Sequence, residues 1–146
     1  MNESTIDILL VEDNPQDIEL TMRTLKKHDI ANKVFVVMDG EEAIEFLYCK
    51  GKYSERSNYL PKVIFLDIKL PKLNGLEVLK IVKSEEHLRH IPIVMLTSSV
   101  ENPDIKAAYD LGANSYVVKP VDFDNFSETI NSLGIYWLGV NQPPKH

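Results

Sequence analysis

Cysteine is nearly absent: Cys49 is the only one in 146 residues, so no internal disulfide can form. A chain of this length buries roughly two-thirds of its unfolded surface and needs no covalent staple. The lone thiol suits a reducing, cytoplasmic setting. No apolar run approaches the ~20 residues needed to cross a bilayer. The opening Met1-Asn2-Glu3-Ser4-Thr5 lacks the basic and apolar regions of a signal peptide. No membrane partner is therefore expected. A basic stripe is also missing. Sixteen Lys and Arg against 22 Asp and Glu leave a formal net charge of −6, which argues against nucleic acid as a partner. No Cys/His cluster offers a zinc site; His87 and His90 read as surface or packing residues. Repeats and low-complexity tracts are absent. What remains is one globular domain over residues 1–146, with a core of about 6–138 and an irregular, Pro-rich tail over 139–146.

Five short apolar runs stand out: Ile6–Val11, Lys33–Val37, Val63–Leu66, Ile93–Leu96 and Ser115–Val118. Near-continuous apolarity over four to six residues predicts strands covered on both faces, as in a parallel sheet. Helical spacing fills the gaps. Ile18, Met22 and Leu25 share a face, as do Ala43, Phe46 and Leu47; Leu76, Leu79 and Val82; and Ile105, Ala108 and Tyr109. Phe123, Phe126, Ile130, Leu133 and Trp137 predict a fifth helix. Asn14 before Pro15 reads as a helix cap, and Gly112 as a helix stop. The alternation predicts an α/β fold, (βα)5, doubly wound and flavodoxin-like, with a parallel sheet in the order 2-1-3-4-5. Ligands of such sheets sit at the carboxyl ends of the strands.

Those ends carry Glu12 and Asp13 after the first strand, Asp67 after the third, Thr97-Ser98 after the fourth and Lys119-Pro120 after the fifth. Singly each has a bland explanation: a helix cap, a strand-end hydroxyl, a solvated amine. Jointly they are harder to dismiss, because the topology gathers them on one rim. Two carboxylates at ~4 Å repel by about 4 kcal/mol at an effective dielectric of 20. A divalent cation offsets that repulsion, and Mg²⁺ favours hard oxygen ligands and commonly bridges carboxylates to phosphate.

These residues are similar to those of the response-regulator receiver domains of two-component signalling, over about residues 6 to 134. Val11-Glu12-Asp13-Asn14 resembles the family's acidic pair. Asp67-Ile68-Lys69-Leu70-Pro71-Lys72-Leu73-Asn74-Gly75 resembles its phosphoacceptor loop, and Thr97-Ser98 its switch hydroxyl. Tyr116-Val117-Val118-Lys119-Pro120 resembles its switch aromatic, lysine and cis-proline. The resemblance implies that Asp67 is the phosphoacceptor for a sensor histidine kinase. It implies Mg²⁺ held by Asp13, Asp67 and the backbone carbonyl of Lys69, with Glu12 assisting. Thr97 and Lys119 would contact the phosphoryl group, and Tyr116 would switch with Thr97. The family tunes phosphoryl lifetime at the positions of Lys69 and Ser99. It also implies a readout surface on the fourth helix, fifth strand and fifth helix, toward a downstream protein target or phosphotransfer protein. The chain would be no enzyme beyond its own phosphorylation and dephosphorylation.

Two regions are irregular. The connection from Tyr48 to Lys62 carries Tyr48, Tyr53 and Tyr59 and reads either as a docking surface or as a packed, inert loop. The stretch Ile135-Tyr136-Trp137-Leu138 could dimerise through its exposed side, with Trp137 itself in the core. Together they resemble the small stand-alone regulators that partner bacterial phytochromes, which implies a light-sensing kinase and a homodimer. Three rivals are weaker. An aspartyl-phosphate phosphatase usually has a second Asp where Lys69 stands. A flavin carrier needs a Ser/Thr/Gly-rich loop where Glu12-Asp13-Asn14 stands. A phosphate-independent scaffold has no use for Asp67, Thr97 and Lys119 together.

Overall fold

The computed structural model describes residues 8–27, 33–56 and 59–119. Five strands, β1 (Ile8–Val11), β2 (Val34–Val37), β3 (Val63–Leu66), β4 (Ile93–Thr97) and β5 (Ser115–Val118), form one parallel sheet in the order β2-β1-β3-β4-β5. Helices α1 (Pro15–Lys27), α2 (Gly40–Tyr48), α3 (Gly75–Ser84) and α4 (Asn102–Asp110) connect them, with a short 3-10 turn at Gly51–Tyr53 after α2. This is the flavodoxin-like order expected. The predicted fifth helix, with Trp137, lies outside the described residues.

Burial follows sheet position. The inner strands β1, β3 and β4 are buried at every residue, whereas the edge strands β2 and β5 are only partly covered. Strand side chains alternate faces, and the core divides accordingly. Leu9, Val11, Ile64, Leu66, Ile93 and Met95 pack with Phe46 of α2, Leu79 of α3 and Ala108 of α4. Ile8, Leu10, Phe65, Val94 and Leu96 pack with Leu25 and Ile18 of α1 on the opposite face. Each fully buried Leu, Ile or Phe contributes roughly 1.5–3 kcal/mol before entropy is counted.

Two helix faces differ from expectation. In α1, Thr21 is buried while Met22 is exposed, so the inward face runs Ile18, Thr21, Leu25. In α4, Ala108 is buried but Tyr109 is largely exposed. A spacing of three or four residues leaves helix rotation open by about one position, and docking decides it. β4 also extends one residue further than expected, to Thr97.

The caps conform to the sequence. Asn14 Oδ1 accepts from the backbone N–H groups of Gln16 and Asp17, at 2.9 and 3.1 Å. Gly112 follows α4 with φ 107, and the Gly112 and Ala113 N–H groups return to the carbonyls of Tyr109 and Ala108. That paired return is the Schellman pattern, whose left-handed residue glycine adopts without steric cost.

The connection after α2 is packed. Arg56 donates through Nε and Nη2 to the Phe46 carbonyl, and its guanidinium lies 3.9 Å from the Phe46 ring centroid. Tyr53 O–H donates to Glu42 at 2.5 Å, and Tyr48 O–H to Glu85 at 2.8 Å. Of its three tyrosines, Tyr59 is the one left largely exposed.

Candidate functional site

Register puts the strand ends level. Val11 pairs with Leu66 and Val37, and Leu66 with Met95. The ladder runs one residue further: Asp67 N–H donates to the Val11 carbonyl at 3.1 Å, and Glu12 N–H to the Val37 carbonyl at 3.0 Å. Glu12 and Asp67 are thus held by backbone bonds as rigid as the sheet. Thr97 pairs with Val118, and Lys119 N–H donates to the Thr97 carbonyl at 2.8 Å. All four strand ends that the topology singled out do meet on one rim.

Glu12, Asp13 and Asp67 each turn a carboxylate oxygen into one cluster, with all three oxygens within 4.8 Å of one another. Glu12 is 2% exposed and Asp67 6%, while Asp13 faces solvent. The Asp67 carboxylate is oriented by the Ile68 N–H, which donates to Oδ1 at 2.7 Å. Opposite stands Lys119, whose ammonium donates to Asp67 Oδ2 at 3.1 Å, to Glu12 Oε1 at 2.8 Å and to Asp17 Oδ2 at 2.7 Å. Asp17 was missed in the sequence. It sits in the first turn of α1, where an acidic residue is already explained by the helix dipole.

The electrostatics follow from this crowding. Burial pushes Glu12 up to about 7; the nearby Asp67 charge adds to the rise, and Lys119 opposes it. For Lys119, burial works to lower the pKa, but hydrogen bonds to Asp17 and Glu12 and the Asp67 charge outweigh it and hold the amine above its usual range. The ammonium therefore stays charged among its carboxylates.

Gly75 shapes the loop after Asp67. A Cβ here would fall well inside contact distance of the Asp67 carbonyl oxygen, and the Gly75 N–H donates to the Ile68 carbonyl at 2.7 Å. Asn74 and Glu77 close a capping box around the start of α3, at 3.0 and 2.9 Å. The helix is thereby pinned directly beneath the acidic cluster. Lys69 is exposed on this loop.

Thr97 is buried, and its hydroxyl accepts from the Ser99 N–H at 3.3 Å. Tyr116 is half-buried and donates its O–H to the Ser99 carbonyl at 3.0 Å. Ser99 Oγ in turn donates to Asp104 Oδ2 of α4 at 2.6 Å. Ser99 thus joins the two residues named as a switch, through bonds the sequence did not announce. Pro120 lies outside the described residues.

A family model, the response regulator receiver domain, matches residues 8–131. The chain belongs to this family. Solved structures similar to this receiver include two bacteriophytochrome response regulators. RtBRR has 50% identity, covers 97% of this chain and 85% of its own, and has a TM-score of 0.84. AtBRR has 51% identity, 95% and 99% coverage, and a TM-score of 0.83. The response regulator Rcp1 of Synechocystis sp. is 35% identical over 131 residues, 90% of this chain and 88% of Rcp1. Its Mn²⁺-bound structure superposes with a TM-score of 0.78 at 34% identity, covering 96% of this chain and 99% of that one. The receiver is accordingly a phosphorylatable response regulator of two-component signalling, homologous to phytochrome-associated regulators and served by histidine kinases as its family is. Its acidic cluster has the all-oxygen chemistry of a divalent-cation site. No helix among its described residues is long and apolar enough to cross a membrane.

Proposed function

We propose that Asp67 is the phosphoacceptor, and that Glu12, Asp13, Asp67 and the Lys69 backbone carbonyl hold Mg²⁺ beside it. The observation carrying this reading is the convergence of the Glu12, Asp13 and Asp67 carboxylates within 4.8 Å at the strand ends, two of them paired with the Lys119 ammonium. The donors are all oxygen, two are buried, and among the described residues no nitrogen or sulfur ligand joins them, which suits Mg²⁺ better than zinc. When bound, the ion supplies positive charge against the phosphoryl oxygens.

In the reaction, a carboxylate oxygen of Asp67 attacks the phosphorus of a phosphohistidine. The new P–O bond forms as the P–N bond to imidazole breaks, leaving an acyl phosphate on Asp67 and a neutral kinase histidine once a proton is taken up. The transition state requires positioning and charge neutralisation more than covalent help. The Ile68 N–H aims the nucleophile. Lys119 stands within hydrogen-bond reach of it, as a compact charge suited to phosphate. Thr97 offers its hydroxyl to the phosphoryl group. In doing so it leaves the Ser99 N–H, and Tyr116, bonded to the same Ser99, reports the change at the α4–β5 face. Hydrolysis returns the carboxylate and releases phosphate, the only turnover the receiver performs.

The chain works as a single receiver domain over 1–146 in the cytoplasm. Its kinase is a phytochrome, in keeping with the kinship to RtBRR, AtBRR and Rcp1. Its output is a contact with a downstream protein or phosphotransfer protein through the α4–β5 side and the segment that follows. The same side serves a homodimer.

Intact-protein mass after incubation with acetyl phosphate tests the core of this reading. One Mg²⁺-dependent phosphoryl adduct is expected on the wild type and none on Asp67→Asn. A folded wild type that takes no adduct and binds no Mg²⁺ would return the chain to the scaffold reading.

A further inference from the structure

We propose that Asp17 is a positioning residue for phosphoryl chemistry: it restrains the Lys119 ammonium in the resting receiver and surrenders it when a phosphoryl group arrives. The inference rests on Asp67 being the phosphoacceptor. A lysine ammonium has three N–H donors. Three carboxylates claim the Lys119 ammonium: Asp17 at 2.7 Å, Glu12 at 2.8 Å and Asp67 at 3.1 Å. None of the three donors is left over for a phosphoryl oxygen. For Lys119 to meet one, a carboxylate has to let go.

Burial decides which one. The Glu12 side chain is 2% exposed, so water cannot take over the hydrogen bond it would give up. Asp67 carries the incoming group itself. The Asp17 side chain is 32% exposed, and water can take over its hydrogen bonds in place. Asp17 is also fixed by backbone geometry, because its own N–H is capped by Asn14 Oδ1 at the start of α1. Its carboxylate reaches Nζ from the first turn of α1 and holds the closest of the three contacts. A simple first-turn acid stabilising the helix dipole has no need to reach that ammonium. Its negative charge also stands next to the site that an anionic phosphodonor must enter.

Loss of the Asp17 charge therefore frees Lys119 and lightens the repulsion together. The test uses the full chain with acetyl phosphate at saturating Mg²⁺, following adduct formation by intact mass for wild type, Asp17→Asn and Asp17→Glu. Circular dichroism checks that each variant is folded. Adduct formation in Asp17→Asn is expected to be faster by about 3- to 10-fold, in line with the loss of one partly exposed ion pair. Asp17→Glu, which keeps a carboxylate within reach, is expected to stay near wild type. An unchanged or slower rate in Asp17→Asn would overturn the proposal. A second measurement needs neither Mg²⁺ nor a phosphodonor: acylation of Lys119 by acetic anhydride, read by peptide mass. It should rise in Asp17→Asn, and equal acylation in both proteins would show that Asp17 does not hold the amine. A wild type without adduct counts against the Asp67 reading, while the acylation arm decides the hold of Asp17 on Lys119 by itself.

Discussion

Glu12 has almost no water and shares its cationic partner with two other carboxylates. In the metal-free protein its pKa stands at about 7, above the ordinary 4.5. Between those values the folded state holds a proton that the unfolded chain has lost. The stabilisation is fully present below about 4.5 and is lost as pH rises through about 7. Urea unfolding without metal at pH 6 and pH 8 should show this residue's contribution as a fall in stability toward pH 8, and Glu12→Gln should flatten the difference. Asp13 differs, because it faces solvent at the edge of the same cluster. Asp13→Ala should slightly raise metal-free stability by relieving repulsion, while abolishing Mg²⁺ binding in calorimetric titration. A clear loss of metal-free stability would count against a crowded site. These residues were legible in the chain because they are the first two after a strand. Asp17 was not, since its partner is 102 positions away and its local context explains an acid without one.

The element that most tightly conditions the site is the start of α3. Asn74 caps it, Gly75 opens it, and the helix begins against the Asp67 carbonyl. Gly75→Ala forces a methyl group into that carbonyl, so either the helix or the acidic loop must move. The expected cost is about 3 kcal/mol, at the upper end for overpacking, read as a lower urea midpoint together with weaker Mg²⁺ binding. An Asn74→Ala variant, which loses only the cap, should cost about 1 kcal/mol and leave Mg²⁺ binding intact. At this scale the chain was readable in outline. Asn14 and Gly112 announced their caps, and Gly75 belonged to a recognised loop. The rotation of α1 was not readable: Thr21 packs inward and Met22 outward, because apolarity loses to the shape of the groove that the sheet offers.

For the whole molecule, the carboxylates that follow β1 and β3 would hold a metal together only when both strands are paired. Mg²⁺ should therefore stabilise the folded state by mass action, by about 2.7 kcal/mol at a hundredfold excess over Kd. Thermal unfolding with and without the ion would check this, and Asp13→Ala should abolish the shift. The sequence alone determined the parallel order of the sheet, since apolar runs of strand length alternating with helical spacing admit few other packings. It also determined which residues reach the rim, since a strand's last residue is a matter of chain position. Tertiary structure alone decided the pairings across that rim: one ammonium shared by Glu12, Asp17 and Asp67, and one Ser99 joining Thr97, Tyr116 and Asp104. The physical reason is range. Local pattern sets the period of a segment, but a hydrogen bond between side chains far apart in the chain depends on how every intervening element docks.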